Sequence, residues 1–197
     1  MTPPTDSNSS LELLFADLLK QQFESSAKPP VHLWKPEKSG DMDMRIDREG
    51  RWIHEGGEIK RPALVKLFAS IIKREGDCYF LVTPVEKWQI NVDVAPFFIV
   101  AAKLEVRGSE QAVVLTSSTA EQLVVGTNNP IWVDYDPHDN QPIPLVTLRD
   151  NLSALISRSV FYQLIEWGQM VPGTNGEDLF LHSMGEQFLL GHIEAGS

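Results

Sequence analysis

Between Gly40 and Val92 the apolar residues change their spacing twice, and that change limits the folds open to the chain. In GDMDMRI they fall at every second position, Met42, Met44 and Ile46, the period of a strand with one face in a core. In RPALVKLFASIIKREG they recur three and four apart, at Leu64, Leu67, Phe68, Ile71 and Ile72, which draws one stripe along a helix. Pro62 suits the first helical position and Gly76 is expected to end the element. CYFLVTP and WQINVDV then return to strand texture. A strand, a helix and strands around shared apolar faces predict an α+β fold.

The remainder extends this pattern. LELLFADLLKQQFE carries an apolar stripe, with Ser9 and Glu12 at capping-box spacing, so a helix is expected over 11–28, packed on the core and ended by Pro29 and Pro30. Residues 1–10 are polar and are expected to form a loose tail. Asp47 to Gly50 and Gly56-Gly57 are turns, and Gly108 to Glu110 joins a hairpin. IWVDYD is a strand, PHDNQPIP a loop, TLRDNLSALISRS a short helix and VFYQLIEW another strand, with LFLHS and FLLGHI about a Gly185 turn. Arg61 and Arg149 each stand three and six residues before apolar positions, Leu64 and Leu67 in one case, Leu152 and Leu155 in the other. Each segment then runs into an aromatic strand. That order suggests a duplicated strand, helix, strand unit, with mainly antiparallel sheets and two domains over 31–94 and 95–193.

Charge narrows the partners. The 197 residues carry a formal charge of −10, from 27 acidic and 17 basic side chains, with no concentrated basic run. This argues against a nucleic-acid partner. Cys78 is the single cysteine, which excludes an intrachain disulfide. The start lacks the basic and apolar regions of a secretory signal, and the apolar run Ala95 to Ala102 is too short to span a bilayer. A cytoplasmic location and no membrane span are the expectation; cofactor and oligomeric state are left open.

Six residues are candidates for a binding site. Asp41, Asp43 and Arg45 share the polar face of their strand, where two near carboxylates have to meet water, a cation or a basic partner. Arg61 sits at a helix start, where the helix dipole favours anions, so a pairing with Asp41, Asp43, Glu58 or a bound anion is expected. In TPVEKWQ, Thr83 and Lys87 lie beside Glu86 and Trp88, a mixture suited to a small anionic ring compound. The plain alternatives are a solvated strand face, a structural salt bridge and a hairpin turn.

Other residues assemble no site. The five histidines are scattered, and Asp134, Asp136 and Asp139 lack the order of a calcium loop and fit a surface turn. Cys78 fits buried filler, and Ser183 lacks a nucleophile elbow. No catalytic group and no metal site are predicted.

Leu33 to Phe97 closely resembles the bacterial family catalogued as domain of unknown function 1285, most densely at GDMDMRI, at GRWIHEGGEIKRPALVKLFASIIKREG and at YFLVTPVEK. The resemblance extends to about Gly191. It implies a duplicated α+β core, a C-terminal half superficially like a pleckstrin-homology fold, a nucleotide-like ligand at the junction of the halves, and a part in signalling. It supplies no catalytic residues. The resulting expectation is a non-enzymatic module that binds a small anionic ligand. Alternatives are a metal-dependent phosphohydrolase using Asp41 and Asp43, and a protein-interaction scaffold.

Overall fold

The structure, a computed structural model, describes Phe15 and residues 29–194. The loose tail and the N-terminal helix expected from the sequence, Phe15 apart, lie outside the described residues. The chain divides into two compact units, the first ending at Pro96 and the second beginning at Phe97.

In the first unit a single 3-10 turn, Val31–Leu33, precedes a three-stranded meander of β1 (Lys38–Ile46), β2 (Trp52–His54) and β3 (Gly57–Glu58). Helix α1 (Pro62–Ile71) follows, then a second meander of β4 (Ile72–Glu75), β5 (Cys78–Val82) and β6 (Glu86–Val92). The six strands form one sheet in the order β3-β2-β1-β6-β5-β4. Every neighbouring pair is antiparallel except β1 with β6, which is parallel and joins the two meanders. Met44 and Ile46 of β1 and Leu64, Leu67, Phe68 and Ile71 of α1 are fully buried or nearly so. Phe68 stacks on Trp52 at 5.8 Å between ring centres and meets Phe15 edge-on at 5.1 Å.

Helix α1 is shorter than its stripe suggests. It stops at Ile71, and Ile72, with extended backbone (φ −72°, ψ 140°), starts β4 at once. Ile72 fits the helical stripe, but it also fits a strand paired to Leu81 of β5, and it is buried there. The turn at Gly76, whose φ is +61°, closes that hairpin. Cross-strand pairing thus overrides a helical spacing that both conformations satisfy.

The second unit repeats the strand arrangement. β7 (Phe97–Arg107), β8 (Glu110–Ser117) and β9 (Gln122–Val124) form one meander, and β10 (Ile131–Tyr135), β11 (Pro142–Arg149) and β12 (Leu152–Ile156) another. Their order is β10-β11-β12-β7-β8-β9, again with a single parallel pair, β12 with β7, at the centre. Both sheets therefore join the first strand of one meander to the last strand of the next. Helix α2 (Arg158–Glu166) and an antiparallel sheet of β13 (Gln169–Pro172), β14 (Gly176–Ser183) and β15 (Glu186–Glu194) complete the unit.

Two assignments from the sequence are corrected here. The helix expected in TLRDNLSALISRS is the end of β11, a turn at Asp150 (φ +47°) and strand β12. Leu152, Ala154 and Ile156 are buried in alternation, a period-two pattern concealed by the apolar Leu155 between them. The strand expected in VFYQLIEW is instead helix α2 as far as Glu166, with Trp167 as its C-cap, and the buried Val160, Phe161 and Leu164 occupy one helical face. Ser157 caps it, its hydroxyl accepting the Val160 N–H at 3.5 Å. Arg149 accordingly ends a strand while Arg61 precedes a helix, so the two arginines do not occupy equivalent places.

Candidate functional site

Strand β1 alternates as its sequence requires. Asp41, Asp43 and Arg45 are exposed, and Met44 and Ile46 are sealed beneath. Its pairing with β6 is irregular between Asp41, opposite Gln89, and Arg45, opposite Asn91, so four positions of β1 pass two of β6. Arg45 then reaches not the neighbouring aspartates but Asp93, just beyond β6. Its Nε donates to Oδ1 at 2.7 Å and its Nη2 to Oδ2 at 2.6 Å, a two-point fork. The Asp93 backbone N–H donates to the Ile46 carbonyl at 3.0 Å, which fixes that carboxylate beside the end of β1. Among the described residues the Asp41 and Asp43 side chains have no partner.

The turn after β1 adds a second network. Asp47, although charged, is buried. It accepts the backbone N–H groups of Glu49 and Arg51 at 3.0 and 2.9 Å and the Arg51 Nε at 2.7 Å. These bonds satisfy a carboxylate that would otherwise be costly to desolvate. Arg51 also donates to Glu49 at 3.2 Å. The hydrogen bonds that Arg45 donates to Asp93, together with that carboxylate's charge, push the Arg45 pKa up, and Asp47 does the same to Arg51. Both guanidiniums stay charged at any physiological pH.

Together these side chains surround a pocket of about 280 Å³. Arg45, Arg48 and Arg51 supply its cations, Asp47, Glu49 and Asp93 its anions, and Ile53 an apolar contact. Formal charge among those residues sums to zero. The weakest member of the balance is Glu49, two-thirds exposed and held at 3.2 Å. Such a screened surface pair contributes little to holding the carboxylate in place.

The other candidates lie elsewhere in the unit. Lys87 donates to Glu75 at 2.6 Å and stands 4.6 Å from the centre of the Phe80 ring. Lys87, and after it Lys73, holds the Glu75 carboxyl below the usual carboxylate range. Thr83 is buried within its turn: its Oγ1 accepts the N–H groups of Val85 and Glu86 at 3.3 and 3.0 Å and donates to the Glu86 carbonyl at 3.1 Å. Lys87 lies opposite Ser39 in the pairing that places Arg45 opposite Asn91. Four residues of β6 run from Lys87 to Asn91, which places Lys87 roughly 13 Å along the strand from Arg45 at about 3.3 Å per residue. Arg61 occupies the N-cap position of α1 without a side-chain cap bond. The structure therefore spreads the six predicted residues: Asp41 and Asp43 in the middle of β1, Arg45 near its end, Thr83 and Lys87 at the start of β6 and the turn before it, and Arg61 at the start of α1.

Sequence reasoning missed the groups that partner Arg45 and build the pocket: Asp47, Arg48, Glu49, Arg51 and Asp93. A signal existed in DREGR, where a turn places Asp47 and Arg51 four apart; Asp93 gave none, since only the parallel pairing of β1 with β6 brings it to Arg45. The Trp88 ring, expected as a stacking surface, packs over Gly40, where an added Cβ would stand 2.6 Å from its Cζ3. Cys78 is exposed at the end of the β4/β5 hairpin, not buried filler. Asp134, Asp136 and Asp139 satisfy local donors in a surface hairpin and its turn. Among the described residues no group of three or more His, Cys, Asp or Glu side chains is placed to hold a metal ion. Nor is any helix among them long and apolar enough to cross a membrane.

Comparison with known proteins gives a consistent result. A family model described as domain of unknown function (DUF1285), N-terminal domain, matches residues 29–95. A second, described as protein of unknown function (DUF1285), C-terminal domain, matches residues 96–190. The crystal structure of a DUF1285 family protein from Silicibacter pomeroyi DSS-3 is 42% identical, covers 89% of this chain and 95% of that one, and superposes with a TM-score of 0.79. One from Shewanella baltica OS155 is 25% identical, covers 64% of this chain and 91% of that one, and has a TM-score of 0.51. No curated protein matches.

Proposed function

This chain belongs to the DUF1285 family, and from that premise we propose that it is a binding module for a small anionic ligand, nucleotide-like in its charged end, acting in signalling. The observation that carries the proposal is the convergence of Arg45, Arg48 and Arg51 on one pocket. Guanidiniums hold phosphate or carboxylate through parallel hydrogen bonds, and an exposed, weakly held Glu49 gives such a group a place to enter. A volume near 280 Å³ suits a charged headgroup rather than a whole dinucleotide.

The same proposal reads the two units as a duplication, supported by their shared strand order and single central parallel pair. It reads the second unit as superficially pleckstrin-homology-like, supported by antiparallel meanders followed by helix α2. Neither property by itself names a ligand.

Calorimetric titration with inorganic phosphate, nucleotides and dinucleotides tests the pocket. Arg45→Ala and Arg48→Ala each weaken binding by roughly ten- to hundredfold, the worth of a charge-assisted hydrogen bond. Lys87→Ala, at the start of β6 and away from the pocket, leaves it unchanged. Arginine variants with undiminished affinity would remove the pocket as the site.

A further inference from the structure

Strand β7 is eleven residues long, yet β12 accompanies it only from Phe97 to Ile99. The Ser157 N–H closes that edge by donating to the Ile99 carbonyl at 3.0 Å, and helix α2 starts there. From Val100 to Arg107 the strand pairs, among the described residues, with β8 alone. Exposure agrees. Ala112 to Leu115 of β8 are buried on both faces, whereas Val100, Leu104 and Val106 of β7 are 47, 42 and 79% exposed. Lys103 and Arg107, on the opposite face, are exposed as well. A strand wet on both faces beside a neighbour buried over Ala112 to Leu115 is an open sheet edge, which offers unpaired backbone groups to another strand.

We propose that this edge pairs antiparallel with the same edge of a second copy of the chain, centred on Leu104. The choice of occupant rests on the sequence AKLEVR, Ala102 to Arg107, in which charges alternate in sign along one face while apolar residues hold the other. Two-fold pairing of identical strands must keep apolar residues opposite apolar ones, which requires a residue at the centre and not a peptide bond. A centre on Glu105 sets Glu105 against itself and Lys103 against Arg107, both like-charged. A centre on Leu104 sets Lys103 of each copy against Glu105 of the other, Leu104 against Leu104, and Val106 against Ala102. Cross-strand neighbours of these kinds stabilise a sheet, and like charges directly opposite destabilise it. A centre on Val106 also matches charges, but the turn at Gly108 cuts that ladder short. Opposite Val100, where α2 begins, the Leu104-centred register brings only the turn glycine Gly108 of the second copy.

Lys103 and Glu105 already meet within one strand at 2.6 Å, so the pairs between copies share charges in part satisfied, and the association is weak and concentration-dependent. Sedimentation velocity over a concentration series reads it as a mass rising from one chain toward two. Lys103→Glu makes both central pairs like-charged and weakens the dimer about tenfold, and adding Glu105→Lys to it restores the dimer. In a Cys78→Ser background, Leu104→Cys forms a disulfide-linked dimer on mild oxidation. A wild-type chain that stays monomeric throughout, a dimer indifferent to Lys103→Glu, or a Leu104→Cys chain that stays unlinked overturns the proposal.

Discussion

The guanidinium of Arg45 lies against the carboxylate of Asp93 through two bonds of 2.7 and 2.6 Å, across the parallel join between the first and last strands of one sheet. The arginine on the polar face of β1 is therefore already engaged, and its partner sets the charge of the pocket. Replacing Asp93 with Asn keeps a hydrogen-bond acceptor beside Arg45 and leaves the pocket one positive charge in excess. Inorganic phosphate then binds more tightly than to the wild type, by several-fold at low salt and less as salt screens the charge. Calorimetry at two ionic strengths checks both the direction and the salt dependence; a weaker phosphate complex would show that Asp93 positions Arg45 for the ligand.

Acid sensitivity follows from Glu75. Lys87, then Lys73, lowers its pKa from the ordinary 4.5 in the folded chain. A carboxyl depressed in the native state adds stability that is complete above its unfolded pKa and disappears as pH falls through the folded one. The contribution is thus present at pH 5 and above and declines below about 4.5. Glu75→Gln removes it, so melting temperatures of variant and wild type differ at neutral pH and converge in acid. The gap is small, because Glu75 is over a third exposed and solvent screens the pair.

How much of this was legible in the sequence depends on the range of the deciding contact. The faces of β1, the turns at Gly50, Gly76 and Gly108, and the start of α1 at Pro62 follow from neighbours a few residues apart. Ile72 and the segment Leu152 to Ile156 satisfy helical and strand periods equally, and only their partners, Leu81 and β11, decide between them. The ends of the candidate site divide likewise. Asp47 and Arg51 meet within one turn, whereas Arg45 and Asp93 are 48 positions apart and meet because β1 and β6 run parallel.

Gly40 has a steric role that a single methyl group tests. Its missing side chain leaves room for the Trp88 ring, and a Cβ there would stand 2.6 Å from Cζ3 and 3.0 Å from Cε3. A rigid indole cannot yield by bending its tip, so Gly40→Ala moves either the ring or the pairing of β1 with β6. Overpacking of this kind costs about 1–3 kcal/mol. Denaturant unfolding measures the loss, and Trp88 fluorescence reports whether the ring has moved.

Ser183 ties three segments of the second unit together from a site only 1% exposed. Its hydroxyl donates to the Val125 carbonyl at 2.7 Å and accepts the Val113 N–H at 2.9 Å, so the end of β14 is bonded both to β8 and to the chain just after β9. Ser183→Ala deletes both bonds and leaves a buried donor and a buried acceptor without that partner. The expected cost is about 1–3 kcal/mol, the range for stranded buried polar groups. Ser183→Cys retains a weak donor and acceptor at similar volume and should recover part of the loss. Two melting curves decide the point: a Ser183→Ala chain as stable as the wild type would mean that water replaces the hydroxyl, and an equal loss in both variants would assign the effect to packing rather than to hydrogen bonding.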